Sequence, residues 1–345
     1  MIPSRPTDDH PDPARRDTLR RWVRAGRTVV DAAHAGTRLD LYLARRFTYR
    51  SRTQWREIIR EGRLQVNQSR VRPSRALRAG DRIDYVPLRR PEPPIDRAYS
   101  ILHVDDDLVV IAKSGNLPIH PSGRYFRHTL LSLLLEEHPE WQRLHVIHRL
   151  DRETSGVVVF GRSRAAAGRV ARQFRDRRVE KRYLALVAGR PPHARWMIDL
   201  PLGPAQHSLI RKAVGVRPDG VAARTEVRVL RQGEDWAWVE ARPLTGRLHQ
   251  IRVHLRAAGV PIVGDKVYGP DERYFLKFVA GVALTALEQA ALGHTRQALH
   301  AYRLRFAHPR TGAECVFTAP LPADLTAALR ERGIDPAAAL PEDCP

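Results

Sequence analysis

Three prolines, Pro91, Pro93 and Pro94, fall within residues 88–97 and divide the chain. Proline fixes φ near ~−65° and lacks an amide proton, so such a run extends neither a helix nor the middle of a sheet. It forms an extended, semi-rigid connector over residues 91–99. Folding units are therefore expected on either side, which 345 residues allow at ~100–200 residues per domain. The ends differ in composition from both units. Residues 1–35, rich in Asp, Pro and Arg at their start, read as a flexible tail, and residues 326–345, rich in Ala and Pro, read as a loose C-terminal tail. The units then span residues 36–90 and 100–325.

Charge separates these segments. Residues 36–90 hold fifteen arginines against five acids, a net +10, out of +21 for the chain. Such a balance repels itself unless a polyanion is the partner, and it points to nucleic acid. Leu39, Leu43 and Phe47, then Trp55, Ile58 and Ile59, recur at helical spacing. Arg45, Arg46, Arg52, Arg56 and Arg60 lie between them, and Arg63 follows the Gly62 stop. Short strands follow, with a turn at Asn67-Gln68 and another at Gly80-Asp81. The text Arg38-Leu39-Asp40, Ser51-Arg52-Thr53-Gln54 and Glu61-Gly62-Arg63-Leu64-Gln65-Val66-Asn67 resembles the S-four-type RNA-binding domain. Gln68 stands where that family usually has Gly. The resemblance implies RNA contact through the six arginines at 45, 46, 52, 56, 60 and 63.

Beyond the connector, strand patterns dominate. Ile101 to Val104 and Leu108 to Ala112 alternate around Asp105-Asp106-Asp107, a hairpin whose acids read as a polar turn. Val157 to Phe160 is a β-branched run, and residues 165–178 form an amphipathic helix. Residues 179–187, 235–241, 298–306 and 314–318 alternate like strands, and 247–258 looks helical. Residues 275–292 read as one inserted Ala-rich helix. Strands without regular βαβ alternation predict an α+β fold on a mainly antiparallel, mixed sheet.

One segment carries chemistry: His148-Arg149-Leu150-Asp151-Arg152-Glu153-Thr154-Ser155-Gly156, directly before the buried run. A polar loop at a strand end is held by a rigid sheet and is a frequent catalytic position. From residue types alone three readings stand. His145, His148 and Asp151 have the spacing to bind a metal if the segment were one continuous helix, which the turn residues oppose. Asp151 could be a structural partner of an arginine. It could also be a nucleophile or base of the kind used in sugar chemistry. A second segment is Thr245-Gly246-Arg247-Leu248-His249-Gln250-Ile251-Arg252-Val253-His254. On a helix its apolar face is Leu248, Ile251 and Leu255, and Arg247, Gln250 and Arg252 are free to point to a cleft.

Both segments, in this order, resemble the RluA-like RNA pseudouridine synthases. His148-Arg149-Leu150-Asp151 with Thr154-Ser155-Gly156 matches that family's signature, and Lys181-Arg182-Tyr183-Leu184-Ala185 its intermediate Lys-x-Tyr strand. The second segment continues as Pro261-Ile262-Val263-Gly264-Asp265 and Tyr268-Gly269. The likeness covers about residues 100–325. Lys113-Ser114-Gly115-Asn116 departs from the usual Lys-Pro-x-Gly loop. The resemblance implies isomerisation of uridine in structured RNA, ribosomal or transfer, with the target base flipped out. It implies Asp151 as the catalytic carboxylate, Arg252 as its ion-pair partner and Tyr183 against the uracil. Arg149 is implied to fill the vacated stack or grip phosphate, and Arg247 to contact RNA.

The isomerisation needs no redox equivalent or phosphate donor, and no Walker or Rossmann glycine loop occurs, so no cofactor and no metal are expected. The alternatives from other classes are a non-catalytic RNA-binding or ribosome-assembly factor and a metal-dependent nuclease or phosphatase. No apolar run reaches the ~18 residues of a membrane span, residues 1–27 hold no apolar signal core, and two cysteines, Cys315 and Cys344, exclude a disulfide framework. A cytoplasmic monomer is expected.

Overall fold

The computed structural model describes residues 26–47, 50–85 and 92–341. The expected N-terminal tail up to residue 25, the start of the connector and Cys344 lie outside the described residues. The chain divides into two compact units, Met1–Glu92 and Pro93–Pro345.

In the first unit strand β1 (Gly26–Val29) leads to helices α1 (Leu39–Arg46) and α2 (Arg52–Arg60), then strands β2 (Leu64–Val66), β3 (Ser69–Arg70) and β4 (Arg82–Tyr85). The sheet order is β1-β4-β2-β3. Helical spacing puts Leu39, Tyr42 and Leu43 of α1 and Trp55, Ile58 and Ile59 of α2 into one core with Leu64, Val66 and Ile83 of the sheet. Ser51 and Gln54 form a capping box that starts α2. Asn67 and Gln68 both take positive φ, 51° and 67°, the geometry a two-residue hairpin turn requires. One expectation is corrected: residues 26–29 do not belong to a tail. They pair antiparallel with β4, from Gly26 opposite Tyr85 to Val29 opposite Arg82, and Val30 enters the core. Only Val30 is buried, so the strand exists through its edge pairing and carries little hydrophobic signal of its own.

The second unit is a mixed sheet. Its strands are β5 (Tyr99–Val104), β6 (Leu108–Lys113), β7 (His145–Val146), β8 (Ser155–Gly161), β9 (Glu180–Ala188), β10 (Arg195–Asp199), β13 (Arg224–Gln232), β14 (Trp236–Pro243), β15 (Leu299–Ala307) and β16 (Glu314–Thr318), with a separate ribbon β11 (Leu202–Pro204) and β12 (Val214–Val216). Eight strands follow the path β10-β13-β14-β9-β15-β8-β6-β5, and β16 on β15 and β7 on β8 complete the ten-stranded sheet. Every pair is antiparallel except β15 with β8, so the expected α+β architecture on a mainly antiparallel mixed sheet is the one observed. The helices are α3 (Leu130–Glu137), α4 (Arg164–Arg175), α5 (Gln250–Ala257), α6 (Arg273–Ala280), α7 (Ala286–Leu292) and α8 (Ala323–Arg330).

Strand β8 is buried along its whole length. Alternation sends Val158 and Phe160 to one cluster with Leu130, Leu133 and Leu134 of α3, and Val157 and Val159 to another with Val170 of α4. Covered on both faces, β8 is a rigid support for the loop before it. Gly156 is required there: its φ is +118°, and a Cβ would lie 2.2 Å from the Ala301 carbonyl oxygen of the parallel neighbour.

Two further expectations change. Residues 275–292 are not one helix. Gly281, at φ 76°, ends α6, and Thr285 with Glu288 forms a capping box that starts α7. Nor are residues 326–341 a loose tail. Leu325, Ala328 and Leu329 of α8, with Ile334 and Ala339 beyond it, belong to the largest core cluster, and Trp238 donates its indole N–H to Ala339 O at 2.8 Å. Leu329 is 1% exposed. Leu329→Ala should therefore destabilise this unit by about 2–5 kcal/mol, measured by denaturant unfolding; a change under ~0.5 kcal/mol would show that the segment adds no packing.

Candidate active site

The loop between β7 and β8 carries Asp151, and its backbone is pinned from several directions. Lys113, 2% exposed, donates from Nζ to Ser114 O and Arg152 O at 2.9 and 3.1 Å. Arg296 donates to Glu153 O at 2.8 Å and forms an ion pair with Asp324 of α8. Gln297 Nε2 donates to Thr154 Oγ1 at 2.6 Å, and Ser155 Oγ lies 3.0 Å from His300 Nδ1. The Thr-Ser-Gly stretch is thus a hydrogen-bonded clamp.

Helix α5 faces this loop. It begins at Gln250, later than the sequence pattern suggests, so Leu248 precedes the helix and is exposed rather than part of its apolar face. Gln250 does not point to a cleft. It is buried, accepts from Thr245 Oγ1 and Arg247 N, and donates to Arg224 O and Thr225 Oγ1. His254 likewise lies against Thr225 and Leu200. These residues anchor the helix to the sheet, and that anchoring aims Arg252 at the loop.

Arg252 is the centre of the site. Its Nη1 donates to Asp151 Oδ2 at 2.6 Å. Its Nε and Nη2 form a fork onto Asp265, at 2.6 and 2.8 Å. Asp265 Oδ1 also accepts the backbone N–H groups of Val267 and Tyr268, and the Tyr268 ring lies 4.9 Å from the guanidinium. Asp151 keeps 27% of its side chain exposed, against 6% for Arg252 and none for Asp265. His249 Nε2 is 3.7 Å from the second oxygen of Asp151. Burial acts strongest on the Asp151 carboxyl and pushes its pKa up. The charge of Arg252 and hydrogen bonds from Arg252 and Gln297 outweigh it, so the group lies below its ordinary value and is ionised at neutral pH. Tyr183, on β9, is shifted upward by burial and by the Asp151 charge, which keeps the phenol protonated.

The sequence-selected residues separate into groups. Arg252 pairs with Asp151, and Tyr183 lies near enough for the Asp151 charge to raise its pKa. Arg149 is exposed two residues from Asp151 with no partner among the described residues. Arg247 donates to Ala222 O at 3.1 Å. His145, His148 and Asp151 do not form a metal set: His145 lies in β7, no helix joins the three, and His148 is stacked on Phe174 with Nε2 accepting the Val159 N–H. Asp105 Oδ1 accepts the N–H groups of Asp107 and Leu108 at 2.7 Å each, the expected polar turn. In the first unit Arg45, Arg46, Arg56 and Arg60 are exposed, whereas Arg52 pairs with the fully buried Asp40 and Arg63 with Glu61. Sequence reasoning gave no role to Asp265, His249, Tyr268, Gln297 and Lys113. Asp265, His249 and Tyr268 had a signal, since all three lie in the second motif or its continuation, and Lys113 heads the departing loop; Gln297 had none.

Known proteins share these segments. The family model described as RNA pseudouridylate synthase matches residues 107–257, and the S4 domain model matches residues 37–83. Ribosomal large subunit pseudouridine synthase D of Neisseria meningitidis serogroup B is 36% identical over 313 residues, covering 87% of this chain and 81% of that protein. The protein of the same name from Vibrio parahaemolyticus is 34% identical over 311 residues, covering 87% and 92%. This chain belongs to the RNA pseudouridine synthase family. The solved structure of human RNA pseudouridylate synthase domain containing 1 agrees, at TM-score 0.54 and 28% identity over 69% of this chain and 90% of that one. The chain is thus an isomerase acting on uridine in RNA, with an RNA-binding S4 domain before its synthase domain. No helix among the described residues is long and apolar enough to cross a membrane.

Removing Asp265 would strand a buried guanidinium. Asp265→Asn should cost about 3–5 kcal/mol of stability at pH 7. Burial is the largest influence on Asp265 and acts upward, but Arg252 and the two backbone donors hold its pKa below 3.8. Its stabilisation is then full above the unfolded value and lost as pH falls through the lower folded one. The gap between wild type and variant in denaturant curves should narrow below about pH 4; a gap constant down to pH 2 would deny the pairing its energetic role.

Proposed function

We propose that this enzyme converts specific uridines of large-subunit ribosomal RNA to pseudouridine, with Asp151 as the catalytic carboxylate. One observation carries the assignment of Asp151: it is the partly exposed member of a buried Asp265–Arg252–Asp151 chain. The names of the two bacterial relatives support the choice of RNA.

The reaction breaks the N1–C1′ bond, turns the uracil and joins C5 to C1′; the C5 proton leaves and N1 gains one. Positive charge develops at C1′ as the first bond breaks. An ionised carboxylate aimed at that carbon by Arg252 favours this step. Tyr183, protonated and beside Asp151, packs against the uracil, and its hydroxyl serves proton transfer at C5. A uridine stacked within RNA cannot reach Asp151, so the base is flipped out. Arg149, exposed and without a partner among the described residues, fills the gap or holds phosphate. In the S4 domain, Arg45, Arg46, Arg56 and Arg60 bind phosphates.

Asp151→Asn keeps the shape and removes the charge. It should lower the rate of tritium release from 5-tritiated uridine transcripts by at least ~10³-fold, about 4 kcal/mol of barrier, with RNA affinity within ~3-fold. Substantial turnover by this variant would end the assignment. Combined Arg45→Ala, Arg46→Ala, Arg56→Ala and Arg60→Ala in the full chain should flatten the dependence of log affinity on log salt. The slope should fall by roughly 0.7–0.9 for each phosphate no longer neutralised. An unchanged slope in titrations of the same transcripts would give these arginines another task.

A further inference from the structure

Tyr268 touches both groups that flank Asp151. Its ring lies against the Arg252 guanidinium, and its hydroxyl is 2.7 Å from His249 Nδ1. The hydroxyl oxygen also accepts the Val214 N–H at 2.9 Å. Tyr268 is 5% exposed, and a buried phenol must place its proton on an acceptor. Val214 comes to the oxygen as a donor, so the hydroxyl proton goes to the lone pair of His249 Nδ1. A neutral imidazole with Nδ1 as acceptor carries its hydrogen on Nε2, and Nε2 is the atom 3.7 Å from Asp151 Oδ1.

The surroundings of the ring favour its neutral form. Burial depresses the His249 pKa to about 4; Arg252 and Arg149 act in the same direction, and Asp151 and Asp265 against it. The backbone is also specialised: His249 has φ 54° and ψ 17°, a left-handed conformation that costs energy in a non-glycine residue and persists where its surroundings hold it. Here that conformation turns the ring between Tyr268 and Asp151.

We infer that His249 is a positioning residue, fixed by Tyr268 as the Nε2–H tautomer, which presents a neutral donor to Asp151 Oδ1. Arg252 takes Oδ2, so Oδ1 is the oxygen left for the ribose. The 3.7 Å gap is too long for a hydrogen bond, so Oδ1 is guided and not clamped. A second cation in that place would further lower the basicity of the carboxylate; a neutral N–H orients it without doing so. Tyr268 thereby supports the carboxylate twice, through Arg252 and through His249.

The inference rests on Asp151 as the reacting group, and its test is separable from that reading. Nitrogen-15 spectra of the histidine-labelled full-length protein at pH 7, assigned by difference from His249→Asn, should show Nδ1 bare and Nε2 protonated. Asparagine tolerates the left-handed backbone, so that variant keeps the turn. Tyr268→Phe keeps the ring on Arg252 and removes only the hydroxyl. It should give mixed tautomers and lower the single-turnover rate on saturating ribosomal RNA transcript by about 10-fold, with the dissociation constant within ~2-fold. Losing the donor to Nδ1 eases protonation of the ring, so the acid limb of the rate profile should move to higher pH. A protonated Nδ1 in the wild type overturns the inference, and so does a Tyr268→Phe enzyme with wild-type rate and pH profile. If the variant does not fold, the wild-type spectrum alone decides. Turnover by Asp151→Asn would remove the catalytic reading and leave the tautomer assignment standing.

Discussion

A single buried guanidinium organises the synthase domain. Arg252 has five N–H donors in a planar fork, and two are spent on Asp265, which is itself held by two backbone N–H groups. That fixes the plane of the fork, so the Nη1 donor is aimed before any substrate arrives. The charges also count. Two acids and one cation leave one net negative charge in a low-dielectric site, and it resides on the exposed member, Asp151. A developing positive charge at a ribose carbon is what this arrangement lacks. An arginine that only gripped phosphate would not be committed to two carboxylates.

The same logic applies to the backbone that carries Asp151. Two buried cations, Lys113 and Arg296, donate to the carbonyls of Arg152 and Glu153. Burial and the charge of Arg296 push the Lys113 ammonium well below its ordinary pKa. The two basic groups share the interior because each donates to carbonyls that would otherwise lack partners. Arg296 is in turn neutralised by Asp324 of α8. The C-terminal helix is therefore connected to the catalytic loop through one ion pair, in addition to sealing the core with Leu325 and Leu329.

Much of this is legible in the sequence, for physical reasons. The helical spacing of Leu39, Leu43, Trp55, Ile58 and Ile59 is a direct consequence of burying one face, and it recurs in the structure. Residues 179–187 and 235–241 are recognised as strands, yet Leu184 to Val187 and Ala237 to Val239 are buried without alternation, because both strands lie inside the sheet. Asp151, Arg252 and Tyr183 stand out through motif order, because they lie in the segments that match the family. What escapes is context. Asp265 differs from a surface aspartate through Arg252, which lies thirteen residues away on another element, and through the backbone donors of Val267 and Tyr268. His249 takes its meaning from a φ angle that no composition reveals. The Ala-rich segment after residue 322 reads as weakly hydrophobic, yet small residues such as Ala328 and Ala339 are what close packing against Trp238 requires. The edge strand at Gly26–Val29 is too short for periodicity to register.

The basic S4 domain shows the difference between charge as a sum and charge as a placed group. Its net +10 suggests fifteen equivalent arginines, and the structure makes them unequal. Asp40 is completely buried within α1, and two guanidiniums, those of Arg38 and Arg52, are drawn in to hold it. Burial acts strongest on Asp40 and upward, but the hydrogen bonds and charges of these two arginines hold it below the ordinary range, so the acid stays ionised. Arg75 performs a similar service for Asp81, and Arg27 and Arg82 for Asp84. These cations are already neutralised and add little to an external field. Arg45, Arg46, Arg56 and Arg60 have no such partners among the described residues, and they stand on helices whose inner faces are fixed by Tyr42 and Trp55. A polyanion approaching this domain therefore meets a few unneutralised charges on rigid helices, and not a diffuse basic surface.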